Sequence, residues 1–286
     1  MSVNPLTPRM MRMPGFSGVA ASQTAVLQLP VGGPTYHSLF LNVAFGGTPA
    51  TSAQIDSLVG RLKLNGTVIY EIVGSLERPL NAYYGHAHVD GVLPILFSRP
   101  TARTPSMDTL TAIGTGNSNV SQLTLEIDLP ATANPSISCE AEVSDVRRPV
   151  NYIIRRQVSR NVALQSGQNT ITNLPVDNGA LIGLHFNGSV VTGIDAELNG
   201  RPIIQATPAT LAHRQLIVAG GRTPQTNWVH VDPCARDNYN SRIELVTPQG
   251  KDFRALPTAS AGGNVNIVID TLYAPFGIQP EPAGVA

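Results

Sequence analysis

Two copies of one ordered set of landmarks run through this 286-residue chain, and that order constrains the fold more than any other feature. The first copy reads Val26-Leu27-Gln28-Leu29-Pro30-Val31, an apolar run to Phe45, then Leu64-Asn65-Gly66. The second reads Ile171-Thr172-Asn173-Leu174-Pro175-Val176, an apolar run to Phe186, then Leu198-Asn199-Gly200. The Leu-Pro-Val landmarks lie 145 residues apart and the Leu-Asn-Gly landmarks 134 apart. A longer loop in the first copy, Gly46 to Ser57 against Gly188 to Gly193, accounts for the difference. Each half closes on an alternating strand that ends in proline, Ser136 to Pro149 and Asn264 to Pro275. A repeat of this size is a domain, not a solenoid unit.

The local signals are those of strands. Leu123, Leu125, Ile127 and Leu129 share one face of an alternating run, with Thr124, Glu126 and Asp128 on the other. Asn65-Gly66 between two such runs is a hairpin signal, because both central positions of a type I′ turn need positive φ. Thr51 and Gln54 fit a capping box for one helical turn. Leu76, Leu80 and Tyr84 recur at helical spacing, with Pro79 expected to shorten or kink that helix. Ser106 to Ile113 reads as a short helix stopped by Gly114. Pro208 to Val218 reads as a clearer one, with Thr207 as its N-cap. The expectation is an all-β chain, two tandem eight-stranded antiparallel sandwiches with short helices in the loops; two jelly rolls are the commonest eight-strand version, and strand count alone does not separate them from immunoglobulin-like sandwiches. The boundaries are an N-terminal arm over 1–21, a first jelly roll over 22–149, a linker over 150–167, a second jelly roll over 168–278 and a tail over 279–286.

Charged residues make up 13% of the chain, about half the usual share, and the net charge is zero. A basic surface for direct nucleic-acid binding is therefore not indicated. So weakly charged a surface suits a protein whose faces are covered by neighbours. Closed sheets are expected to hide strand edges that would otherwise pair without limit. Cys139 and Cys234 sit at non-equivalent places in the repeat and form neither a disulfide framework nor a metal spacing. No apolar stretch reaches the length of a membrane span. Arg147, Arg148, Arg155, Arg156 and Arg160 crowd the stretch between the copies, Val146 to Gln168, where they read equally as a solvated segment or as a contact for phosphates, lipid headgroups or an acidic neighbour.

Catalytic constellations are missing from the pattern. There is no G-x-S-x-G elbow, no P-loop and no H-E-x-x-H. His86-Ala87-His88 with Asp90 invites a cupin-like metal site, but Leu80 stands where a cupin carries glycine, and Val92 and Leu93 where it carries glutamate. A loop histidine pair is the better reading. His230, Asp232 and Cys234 alternate around Trp228 until Pro233, which reads as a strand end. No catalytic residue, cofactor site or metal ligand is assigned, and a structural divalent ion is left open.

Taken in order, several anchors resemble one family. They are Leu29-Pro30-Val31-Gly32, Thr48-Pro49 with Ser52-Ala53-Gln54-Ile55, Leu64-Asn65-Gly66, Phe97-Ser98-Arg99-Pro100, and Ala112-Ile113-Gly114. Arg155-Arg156, Leu174-Pro175-Val176, Ile194-Asp195 and Asn199-Gly200 continue them. Together they resemble the double jelly-roll major capsid proteins of tailless icosahedral, membrane-containing bacteriophages of the corticovirus-like branch. That resemblance implies a structural protein, not an enzyme, made in the host cytoplasm and carried in the virion. It implies homotrimers that form pseudo-hexagonal capsomers, with neighbouring capsomers, a vertex protein and internal membrane lipids or membrane proteins as partners, and no direct nucleic acid. Arg9, Arg12, Arg155 and Arg156 are the candidate contacts to membrane or neighbour. A tandem glycan-binding sandwich and a cupin-like metalloenzyme are the alternatives.

Overall fold

The computed structural model describes residues 8–98, 110–116, 119–145, 154–172, 174, 179–217, 222–236, 241–245 and 252–273. In the first half these form β1 (Arg9–Arg12), β2 (Thr24–Leu29), β3 (Thr35–Phe45), β4 (Thr48–Pro49), α1 (Ser52–Asp56), β5 (Val59–Leu64), β6 (Thr67–Val73), α2 (Gly74–Tyr83), β7 (Val92–Leu96), β8 (Ile113–Gly114), β9 (Leu123–Asp128) and β10 (Pro135–Ser144). The second half has β11 (Ile154–Leu164), β12 (Gly167–Gln168), β13 (Ala180–Asn187), β14 (Val191–Leu198), β15 (Arg201–Ala206), α3 (Pro208–Ile217), β16 (Trp228–Val231), β17 (Ile243–Glu244), β18 (Phe253–Ala259) and β19 (Gly263–Tyr273).

Each half is one jelly roll of two sheets around one core, and the two together make a double jelly roll. In the first, β1-β10-β3, with β4, β7 and β8 against β3, faces β2-β9-β5-β6. Between them lie Leu27, Leu41, Leu62, Ile95, Leu125 and Ile127, all essentially inaccessible. In the second, β11-β19-β13 with β16 and β17 faces β12-β18-β14-β15 around Leu184, Phe186, Ile194, Ala255, Ile267 and Ile269. Alternation explains the burial. In β10, Ile137, Cys139, Ala141 and Val143 turn inward while Ser136 and Ser138 face water.

The halves repeat in detail. Both contain strand, Asn-Gly turn, strand, helix: β5-β6-α2 and β14-β15-α3. Both turns hold positive φ at both positions, 48° and 83° at Asn65 and Gly66, 51° and 71° at Asn199 and Gly200. Both hairpins carry a register shift at the same place, between Leu62 and Lys63 and between Ala196 and Glu197. The pairings of β3 with β10 and of β13 with β19 also share a shift, at His37 and at Ile182. Thr51 and Gln54 make the reciprocal capping box, and Thr207 accepts the Thr210 N–H ahead of α3.

Several expectations change. Residues 154–164 of the expected linker are an 11-residue strand paired along its full length with β19. Its arginines disguise it, because burial of Arg155 and Gln157 depends on partners distant in sequence. The arm contributes β1, which pairs with β10, and Met13, Phe16 and Val19 pack against the first core. Helix α2 continues through Pro79, since Leu76, Leu80 and Tyr83 bury one face and offset the lost backbone bond. His86 and His88 lie in the loop before β7. Thr111 to Gly114 is a turn followed by β8 instead of a helix end, and residues 106–109 lie outside the described set, as do 146–150, 274–278 and the tail over 279–286. The sheets do not close: β1 and β15 each pair on one side alone among the described residues.

One sheet of nine strands crosses the joint between the halves. β11 pairs in parallel with β6 at Gln157 and Tyr70, so one sheet runs from the first jelly roll into the second. Ahead of that joint, α2 starts on a glycine for a steric reason. A Cβ on Gly74 would overlap the Ile55 carbonyl of α1, which is backbone and cannot yield. Gly74→Ala is expected to cost about 3 kcal/mol in equilibrium denaturation, whereas Gly33→Ala, with nothing within 4 Å of its added methyl, should cost less than about 0.5 kcal/mol.

Candidate functional site

The four candidate arginines separate. Arg9 and Arg12 lie on β1 at the open edge. Arg9 reaches Asp145 at 2.7 Å, and Arg12, with 93% of its side chain exposed, sits 3.8 Å from Glu140. Arg156 is half-buried, with its guanidinium 5.0 Å from the centre of the Tyr273 ring. Arg155 is buried between the two jelly rolls and is not available to a membrane or a neighbour. Its position on β11 turns it inward, where Asp270 of β19 takes its charge at 2.7 Å. Residues 147–148 lie outside the described set, and Arg160 is exposed.

Arg155 belongs to a buried polar joint. Its guanidinium also donates to Gln157 Oε1 at 3.1 Å and to the Leu96 carbonyl at 2.9 Å, which ties β11 to β7 of the other half. Tyr70 of β6 donates to Gln157 at 2.9 Å, and Gln157 donates to Glu77 of α2. The end of α2 sends two tyrosines across. Tyr84 donates to Asp270 at 3.3 Å, and Tyr83 donates to Asp232 at 3.2 Å. Arg222 lies 3.2 Å from the same Asp232 oxygen. Tyr83 also stacks on His230 at 3.9 Å between centroids, with Trp228 parallel to that ring on β16. His230 and His185 share a contact of 2.9 Å between their Nδ1 atoms. Around this centre Leu76, Leu80 and Val268 form a small apolar cluster of their own.

Burial decides the charge states. Burial outweighs the nearby Arg155 cation and pushes the Glu77 carboxyl from 4.5 up to about 8, so it is protonated at neutral pH. Burial, reinforced by His185, pushes His230 from 6.5 down to about 2, so that ring is neutral. Burial also opposes the Arg155 charge, but Asp270 prevails and keeps it protonated. The joint is thereby reduced to two opposed ion pairs, Arg155 with Asp270 and Arg222 with Asp232, inside a shell of neutral hydrogen bonds. Such a lining braces two bodies.

The loop pair is also accounted for. His88 Nε2 lies 3.1 Å from Ser52 Oγ and 3.3 Å from Asp90. Among the described residues no group of three or more His, Cys, Asp and Glu is placed to hold a metal ion. Cys139 and Cys234 are separate buried thiols. Reading of the sequence missed Tyr83, Tyr84, His185, His230, Asp232 and Asp270 as one assembly. A signal was present in Asp270, a carboxylate ending the apolar run Val265 to Ile269, because a charge in a buried strand requires a partner.

Two outcomes follow from the joint. Arg155→Met strands Asp270 in a dry site and should cost about 3–5 kcal/mol in thermal or chemical unfolding, whereas Arg160→Met should be near neutral. Glu77 binds a proton in the folded state that the unfolded chain releases between pH 4.5 and 8, so its contribution declines as pH rises through that window. His230 acts oppositely below pH 6.5, where only the unfolded chain takes up the proton. Stability measured from pH 6.5 to 8 should therefore fall in the native chain and lose much of that slope in Glu77→Gln.

Comparison with known proteins places this arrangement. Residues 10–144 match the viral coat protein P2 N-terminal domain, and residues 154–275 match the viral coat protein P2 C-terminal domain. The structure is similar to the major capsid protein P2 from bacteriophage PM2, with a TM-score of 0.81 at 17% identity over 95% of this chain and 100% of that one. It is also similar to the STIV major capsid protein, with a TM-score of 0.65 at 11% identity over 94% and 97% of the two chains. The PBCV-1 virus capsid gives a TM-score of 0.64 at 11% identity over 98% and 97%. No curated protein matches the chain. The two matched domains span both jelly rolls, the second beginning at β11, and on that basis this chain belongs to the viral coat protein P2 family.

Proposed function

We infer that this coat protein works as a homotrimer, in which six jelly rolls make a pseudo-hexagonal capsomer, and that such capsomers tile an icosahedral shell over an internal membrane. The family match and the capsid folds make it a major capsid protein and a component of the virion. The finer reading rests on one observation. The chain contains two jelly rolls so alike that their turns and register shifts coincide. Three such chains present six similar faces, the number a hexagonal lattice needs.

The surface favours this role. Charge is sparse and balanced, as suits faces that meet neighbours and a coat kept apart from its genome. Arg12, the most exposed of the four arginines, and Arg9 offer positive charge to anionic headgroups or to a neighbouring capsomer. The chain performs no catalysis in this reading. The glycan reading is disfavoured because the single tryptophan, Trp228, is stacked on His230 and half-buried.

Light scattering on the purified chain tests it, with negative-stain images and flotation with anionic vesicles on the same sample. The expected result is a mass three times 30.3 kDa, a hexagonal outline and vesicle binding that weakens with salt. A monodisperse monomer under varied salt and divalent ions would overturn the capsomer reading. Trimers that stay free of vesicles at low salt would overturn the membrane contact.

A further inference from the structure

The internal repeat supplies a template for a second joint. Superposing the register shifts aligns Leu62 with Ala196, and therefore Tyr70 of β6 with Ile204 of β15 and Glu77 of α2 with Leu211 of α3. The shifts at His37 and Ile182 align Glu142 of β10 with Asp270 of β19. Met10 pairs with Glu142 as Gln157 pairs with Asp270, so β1 is the counterpart of β11, and Met10 that of Gln157.

Inside the chain, β6 and β11 are joined. Their counterparts β15 and β1 are both left at open edges among the described residues. We propose that β15 and α3 of one copy take β1 and β10 of a second copy, in the same parallel arrangement that joins β6 and α2 to β11 and β19. The proposal rests on the capsomer reading and names the contact that would close it.

Three observations carry it. First, polarity changes together on both sides. Tyr70, Glu77 and Gln157 form a hydrogen-bonded polar set, and their counterparts Ile204, Leu211 and Met10 are all apolar. Met10 is 55% exposed in the single chain although it is a large apolar residue. Second, the exchange runs the other way one turn along the helix. Leu80 packs in the apolar cluster with Val268, and their counterparts are Arg214 and Glu140, a pair of opposite charge. A joint that changed at random would not keep both contacts complementary. Third, the place that receives the partner is open. A groove of about 490 Å³ is lined by Ile203, Ile204, Leu211 and Arg214, among others, at the edge that in the first jelly roll is filled by Gln157 and Arg155. The exposed tip of α3 fits the same account: Ile217, 70% exposed, is the counterpart of Tyr83, which is wholly buried in the internal joint.

The contact is head to tail, because each copy offers β15 at one end and β1 at the other. Such a contact builds a ring when its rotation closes, and three copies close it in the capsomer.

A cysteine pair tests the register, since a disulfide forms only when the two Cα atoms come within about 7 Å. The chain carrying Met10→Cys and Ile204→Cys is oxidised as the trimer, run on a non-reducing gel and weighed by light scattering, with each single variant as control. Cys139 and Cys234 are buried and stay in place. Covalent dimers and trimers in the double variant alone would support the joint. A trimer by mass without interchain bonds would overturn the joint and leave the capsomer reading intact. A native chain that never trimerises would overturn both. Arg214→Glu gives an independent result on an exposed residue: the concentration for half-assembly should rise about tenfold or more, and an unchanged value would overturn the proposal.

Discussion

The buried ion pair of Arg155 and Asp270 anchors the joint between the two halves. Two charges removed from water contribute little net stability compared with a well-packed apolar pair. Their use here is geometric. Asp270 sits on a central strand of the second jelly roll, while Arg155 reaches from the strand beside it to the Leu96 carbonyl of the first. An apolar contact of the same size would tolerate sliding. A guanidinium committed to Asp270, Gln157 and Leu96 at once accepts only one relative placement. The single parallel pairing of Gln157 with Tyr70 then makes one sheet continuous across both units.

The surrounding groups keep that pair affordable to the fold. Glu77 is held protonated and His230 neutral, so neither adds a third or fourth unbalanced charge. Tyr83 and Tyr84, delivered by the end of α2, each donate to one oxygen of Asp232 and of Asp270, and Tyr83 stacks on His230 of β16. A helix that begins on Gly74 and passes through Pro79 has weak intrinsic propensity. Its position is set instead by the residues that it buries, Leu76, Leu80 and Tyr83.

The repeat shows how one scaffold serves two situations. The edge at β6 is sealed within the chain by a polar set. Among the described residues the equivalent edge at β15 remains open, and Ile203 on that strand and Leu216 and Ile217 of α3 are exposed. Open edges are hazards for a monomer, because unpaired strands accept any partner. In the assembly we propose, a second copy covers that edge, and side-chain complementarity restricts which strand it accepts.

Period-two alternation, the Asn65-Gly66 and Asn199-Gly200 turns, the Thr51 capping box and the helix after Thr207 were all legible, because each depends on residues within a few positions of one another. Two similar β-sandwich domains and a building-block role followed from the order of those local signals, and the jelly-roll form from the family resemblance. Long-range pairing decided the rest. Nothing near Arg155 in the chain marks it as buried, since the carboxylate that makes its burial tolerable lies 115 residues away. The stretch over 154–164 resembled a linker because strand pairing is a property of two segments, and its partner β19 closes the chain's second half. The sequence by itself determined the elements, their duplication and their faces, through local sterics and the apolar pattern. Only the tertiary structure decided which charges were buried, which edges stayed open and how one jelly roll is held against the other, because desolvation and pairing energies exist only once distant residues meet.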